Sequence, residues 1–145
     1  VSAVETAPDP LFAPRLSPGN RGQVLIIDDE PSVRKFLQAV LEEEGFVVAT
    51  CAHGEEGLAA IERADTPPRL IFLDFRMPVM GGAEFLSRLE AQRPELVRRV
   101  IFCTGDALNP DVQAFLSHYR NVVIAKPFDR STLIASIRAA LGDQG

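Results

Sequence analysis

Four groups of polar residues interrupt the apolar stretches of this 145-residue chain at places where chemistry could be done: Asp28-Asp29-Glu30, Asp74, Thr104-Gly105-Asp106 and Lys126-Pro127-Phe128. Each directly follows a run of four apolar residues, namely Val24 to Ile27, Leu70 to Leu73, Val100 to Cys103 and Val122 to Ala125. A fifth run, Phe46 to Ala49, ends in Thr50 and offers nothing reactive. Carboxylates brought to one edge repel, by about 4 kcal/mol for two unit charges about 4 Å apart at an effective dielectric of about 20. A positive charge must therefore accompany them. An oxygen-only donor set suits a hard, largely hydrated Mg²⁺, and the lack of His or Cys in the cluster argues against zinc. Lys126 supplies a second positive charge. A carboxylate nucleophile, a hydroxyl, a lysine and a metal site together fit phosphoryl transfer, in which positioning and charge stabilisation do most of the work. Asp74 is the candidate nucleophile, with Thr104 and Lys126 facing the transferred group. Neither His53 nor His118 falls at the end of a run, so no Ser/His/Asp arrangement forms, and both are expected at the surface.

The elements that must position these residues follow from periodicity. Short apolar runs bounded by polar residues read as strands covered on both faces. Between the first two runs, Val33, Phe36, Leu37, Val40 and Leu41 recur at the spacing of one helix face. Pro31 suits that helix's first turn, Asp29 is placed to cap it, and Gly45 is placed to stop it. Leu58/Ile61, Phe85/Leu86/Leu89, Val112/Phe115/Leu116 and Leu133/Ile134/Ile137/Leu141 mark four more helices. Five strands alternating with five helices, joined by right-handed crossovers, predict an α/β, open, doubly wound parallel sheet. In such a sheet ligands lie beyond the carboxyl ends of the strands, where strand order reverses. Residues 1–22 read as a Pro-rich linker, with four of the eleven prolines in the first twenty positions; 23–142 read as one domain and 143–145 as a tail.

Composition excludes several classes of function. Hydrophobic residues at 46% and charged residues at 24% describe a globular chain, and a net charge of −5 has the wrong sign for direct nucleic-acid binding. No apolar run approaches the roughly 18 residues of a membrane span, so no membrane role is expected of this domain. Cys51 and Cys103 sit within apolar stretches and read as small buried residues of a reducing, cytoplasmic location.

Residues Gln23 to Leu141 resemble the receiver domain of two-component response regulators. The resemblance rests on the acidic pair Asp28-Asp29, on Asp74 within Asp74-Phe75-Arg76-Met77-Pro78-Val79-Met80-Gly81-Gly82, on Thr104, and on Lys126-Pro127. It implies a strand order of 2-1-3-4-5 and a phosphoryl group taken onto Asp74 from the phosphohistidine of a histidine kinase or histidine phosphotransfer domain. It also implies Mg²⁺ held by Asp28, Asp29, Asp74 and the Arg76 backbone carbonyl, with Thr104 and Lys126 binding the phosphoryl. The Lys126-Pro127 bond should be cis. Gly105 should leave room for a donor, while Arg76 and Asp106 overhang the site and set the lifetime of the phosphate. Such a domain is a switch and not by itself an enzyme.

Two features depart from the family pattern. Val123 stands where an aromatic residue often precedes the lysine by three positions, so the usual threonine-aromatic switch lacks its second member. The stretch from Thr104 to Pro110 followed by Phe115-Leu116 resembles the carboxyl-terminal receiver of a hybrid sensor histidine kinase, and the Pro-rich start fits that resemblance. The resemblance places kinase docking near Arg34, Lys35 and Gln38, and a homodimer on the face of the fourth helix, fifth strand and fifth helix. The rival readings are a pseudo-receiver that docks proteins without phosphorylation, a phosphatase, and a nucleotide-binding fold. Arg76 stands where the phosphatase would need its acid, and no phosphate-cradling glycine motif follows the first strand.

Overall fold

The computed structural model describes residues 21–75 and 81–142. The apolar runs form five strands, β1 (Gln23–Ile27), β2 (Val47–Cys51), β3 (Leu70–Asp74), β4 (Val100–Thr104) and β5 (Val123–Ala125). All neighbours pair in parallel, in the order β2-β1-β3-β4-β5. Five α-helices alternate with them: α1 (Pro31–Glu43), α2 (Gly54–Arg63), α3 (Gly82–Gln92), α4 (Pro110–Leu116) and α5 (Arg130–Ala140). The expected fold class is therefore the observed one.

Alternation along each strand divides the core in two. Leu25, Ile27, Ile71, Leu73 and Phe102 face a layer built from Leu58 and Ile61 of α2, Phe85, Leu86 and Leu89 of α3, and Val112 and Leu116 of α4. Val24, Ile26, Leu70, Phe72 and Ile101 face Leu37, Val40 and Leu41 of α1 and Leu133 and Ile137 of α5. With both faces covered, apolar residues suit every strand position, which is why the runs show no polar alternation.

Local signals set the ends of the helices. Gly45, at φ +97°, ends α1. Its N–H donates to Glu42 and the Phe46 N–H donates to Leu41, two bonds that close the last turn in a Schellman arrangement. The expected cap at the other end is not made. Glu30, not Asp29, holds the cap position of α1, and no side chain caps it. The Asp28 Oδ1 instead accepts from the Glu30 N–H at 2.8 Å. The expected apolar face is narrower than its spacing implies, because Phe36 is 37% exposed, with the Phe128 ring 6.0 Å away.

A six-residue 3-10 helix, Pro94–Arg99, was not expected. It is too short to show a helical period, yet it buries Leu96 completely and ties Arg99 to the Pro68 carbonyl at 2.8 Å. Arg21 and Gly22, placed in the linker by the sequence, are bonded into the sheet: Arg21 N–H donates to Gly45 and the Gly22 carbonyl accepts from Val47. Residues 1–20 of the expected linker and the 143–145 tail lie outside the described residues.

Candidate functional site

Strand register brings the polar groups together. β1 and β3 align Ile27 with Leu73, so Asp28 and Asp74 each stand one step further along neighbouring strands, at the point where strand order reverses. β3 and β4 align Asp74 with Cys103, which puts Thr104 one step beyond the acceptor strand's end. β4 and β5 align Thr104 with Ala125, and the Lys126 N–H donates to the Thr104 carbonyl at 2.8 Å.

Asp28, Asp74 and Thr104 are buried, and Asp29 is half-buried. Asp28, Asp29 and Asp74 each offer an oxygen within 4.8 Å of the others. Lys126 Nζ lies 2.9 Å from Asp28 Oδ2, 2.9 Å from Glu30 Oε1 and 3.5 Å from Asp74 Oδ2. Burial alone would lower the Lys126 pKa, but the adjacent Asp28 and Glu30 carboxylates and the charge of Asp74 outweigh it and hold the ammonium firmly protonated. One lysine against three closely spaced carboxylates leaves the cluster negative. Asp28 Oδ2 is buried and, apart from its ion pair with Lys126, meets no aligned hydrogen-bond donor among the described residues. An all-oxygen, net-negative set with a buried acceptor still open fits a hard divalent cation.

Further contacts fix the frame. Arg34 donates to the Asp28 carbonyl at 2.7 Å, so the residue expected only as a docking contact also braces the acidic pair. The Thr104 Oγ1 accepts from the Asp106 N–H at 2.9 Å, which leaves its own proton as a donor. The Lys126-Pro127 bond is cis. Gly82 sits against Phe75, the residue after Asp74: a Cβ there would come within 2.9 Å of the Phe75 Cα, and the Gly82 N–H donates to the Phe75 carbonyl. Burial, then the neighbouring Asp28 carboxylate, pushes the Cys103 thiol far up and keeps it neutral, as a core residue.

Asp28, Asp29, Asp74, Thr104 and Lys126 are thus brought to one edge. Arg76, Met77 and Met80 lie outside the described residues. His118 is exposed as expected, whereas His53 is half-buried at the start of α2. Sequence reasoning counted Glu30 among the acids but missed that it pairs with Lys126. The available signal was three acids in a row with a single base among the four groups. A groove of about 460 Å³ opens beside the site, lined by Glu30, Val33, Phe36, Gly105, Lys126 and Phe128 among others.

Residues 24–138 match the family model of the response regulator receiver domain. The chain is 37% identical over 128 residues to a Bacillus subtilis protein described as the uncharacterized transcriptional regulatory protein YkoG, covering 86% of this chain and 53% of that one. It is 31% identical over 121 residues to the DNA-binding response regulator MtrA of Mycolicibacterium smegmatis, covering 83% and 51% respectively. The chain therefore spans about half the length of these curated relatives. Among solved structures, the chemotaxis protein CheY4 of Vibrio cholerae matches with a TM-score of 0.72 at 28% identity, over 81% of this chain and 97% of that one. The receiver domain of a sensor histidine kinase from Pseudomonas aeruginosa, solved with a magnesium ion in its active site cleft, matches with a TM-score of 0.72 at 28% identity, over 83% and 98%.

Proposed function

Because the chain belongs to the response regulator receiver domain family, we propose that Asp74 accepts a phosphoryl group from a phosphohistidine and that the modified domain signals by changing conformation. The observation that carries this reading is the Lys126 ammonium 3.5 Å from Asp74 Oδ2, beside three carboxylates whose oxygens lie within 4.8 Å of one another. Asp28, Asp29 and Asp74 would hold Mg²⁺, with the Arg76 carbonyl as the further ligand that the family resemblance assigns. When bound, the ion neutralises charge that builds up on the transferred group.

The rest of the step falls to the chain's own residues. An Asp74 carboxylate oxygen forms the bond to phosphorus as the bond from phosphorus to the donor's imidazole nitrogen breaks, the electron pair staying on nitrogen. Lys126 pairs with the charge on the phosphoryl oxygens, and the Thr104 hydroxyl donates to one of them. Gly105 leaves the approach open, since a Cβ there would meet nothing within 4 Å. The donor is a histidine kinase or histidine phosphotransfer domain, and the groove along Val33, Phe36 and Phe128 is where its helix docks. The domain is changed by the reaction and does not turn over, so it acts as a switch. Val123 is 42% exposed on β5, on the face proposed for a homodimer of α4, β5 and α5. The buried Cys51 and Cys103 thiols support a cytoplasmic location.

The test is the intact mass of the chain after incubation with acetyl phosphate, with and without Mg²⁺, alongside Asp74→Asn. A Mg²⁺-dependent gain of one phosphoryl group that the variant lacks is the expected result. No gain from acetyl phosphate or from a phosphohistidine donor would reject the reading in favour of a docking module.

A further inference from the structure

Glu30 stands at the cap position of α1, yet its side chain makes no bond to the helix that it begins. Its carboxylate turns across the site to a residue 96 positions away, accepting from Lys126 Nζ at 2.9 Å. That contact is as short as the one from Asp28 and shorter than the 3.5 Å from Lys126 to Asp74. The ammonium is therefore drawn toward Asp28 and Glu30 and away from the acceptor oxygen. Glu30 differs from its two acidic neighbours, because it is not part of the cluster of oxygens that would hold a cation. Its side chain is 56% exposed, whereas that of Lys126 is only 15% exposed, so Glu30 is the partner able to swing away into solvent.

We propose that Glu30 is a positioning residue for Lys126 that restrains phosphoryl acceptance at Asp74. The proposal rests on the reading of Asp74 as the phosphoacceptor. Acceptance converts a singly charged carboxylate into a more negative acyl phosphate, and the incoming donor is an anion as well. A further carboxylate on the same ammonium as Asp74 opposes both, and it competes for the one lysine that would stabilise the product. The same negative charge favours a divalent cation. Removing it must therefore move two measurable properties in opposite directions, weakening Mg²⁺ binding while speeding phosphorylation.

A merely structural role would behave differently. If Glu30 served only to complement the positive end of α1, its loss would lower thermal stability without opposing effects on metal and phosphoryl.

Glu30→Gln and Glu30→Lys step the charge at this point upward. Mg²⁺ affinity is read by calorimetric titration, and labelling by intact mass at saturating Mg²⁺, with thermal melts as the control for folding. Acetyl phosphate is the donor: the Asp74 oxygen bonds to phosphorus as acetate leaves with the electron pair of the broken bond. For a partly exposed charge that shares Lys126 with Asp74, labelling should quicken by about three- to tenfold in Glu30→Gln and Mg²⁺ binding should weaken by a similar factor. Glu30→Lys should extend both changes, and both should shrink at about 1 M salt, where the screening length is about 3 Å. Labelling that is unchanged or slower in Glu30→Gln, in a wild-type chain that labels, overturns this inference and leaves the proposed function standing. A wild-type chain that never labels removes the premise, and the inference with it.

Discussion

The acidic cluster should make the apo protein less stable than a variant that lacks its acceptor. In Asp74→Asn the side-chain volume is kept and one negative charge is removed. At separations of no more than 4.8 Å, the repulsions from Asp28 and Asp29 are each worth about 3.5 kcal/mol or more at an effective dielectric of about 20. The attraction to Lys126 across 3.5 Å is worth about 4.7 kcal/mol on the same scale. Two repulsions outweigh one attraction by about 2 kcal/mol, and burial of Asp74 at 4% exposure adds a desolvation cost of the same sign. Solvent reaches Asp29, so part of this difference is screened. A rise in melting temperature of roughly 5 °C is expected for Asp74→Asn in a chelator. Mg²⁺ should raise the wild-type melting temperature more than the variant's, because a ligand that binds only the folded state stabilises it by RT ln(1 + [L]/Kd), which is larger for the tighter binder. The assay is a pair of thermal melts at neutral pH, with chelator and with millimolar Mg²⁺. A variant that melts below wild type in chelator, or equal Mg²⁺ shifts in the two proteins, would refute the charge reckoning.

Two further outcomes follow from single residues. A Cβ at Gly105 meets no atom within 4 Å, so Gly105→Val should melt like wild type, yet it narrows the approach to Asp74. Comparing labelling by acetyl phosphate with labelling by a phosphohistidine protein should show the larger slowing with the protein donor, and equal slowing would contradict the approach argument. Asp129 caps α5 by accepting from the Thr132 N–H at 2.8 Å, and that hydrogen bond holds its carboxyl below the ordinary value. Its contribution to stability is present above the unfolded carboxyl's pKa and is lost as the pH falls through the lower folded value. The loss of stability between pH 7 and pH 3, read by urea unfolding, should therefore be smaller in Asp129→Ala.

Much of the site could be read in the chain. Residues of the right chemistry stand directly after apolar runs, and a parallel sheet sends the carboxyl ends of all its strands to one edge. Asp28, Asp74, Thr104 and Lys126 were identifiable on that ground, as was the stop at Gly45, because only a residue at ease with positive φ suits that turn. Other features lay beyond a linear reading. The apolar spacing of α1 counted Phe36 as core, but whether a side chain is covered depends on what packs opposite, and with the partly buried Phe128 beside it Phe36 stays 37% exposed. Pro94–Arg99 is shorter than the window over which helical periodicity can be seen, so its buried Leu96 passed unnoticed. Asp29 looked like a cap because it precedes Pro31, while the backbone turn gave the Glu30 N–H to Asp28.

What the sequence by itself determined is the set of strands, the alternation with helices that makes them parallel, and the identity of the groups at their ends. Hydrophobic patterning and turn chemistry act over a few residues and are written locally. What only the tertiary structure decided is which charge meets which. Lys126 is shared among Asp28, Glu30 and Asp74 because sheet register and the entry angle of α1 place three oxygens around one ammonium, over separations in the chain of up to 98 positions in the case of Asp28. Ion pairing depends on distances of a few ångströms between distant segments, and no local pattern in the sequence encodes them.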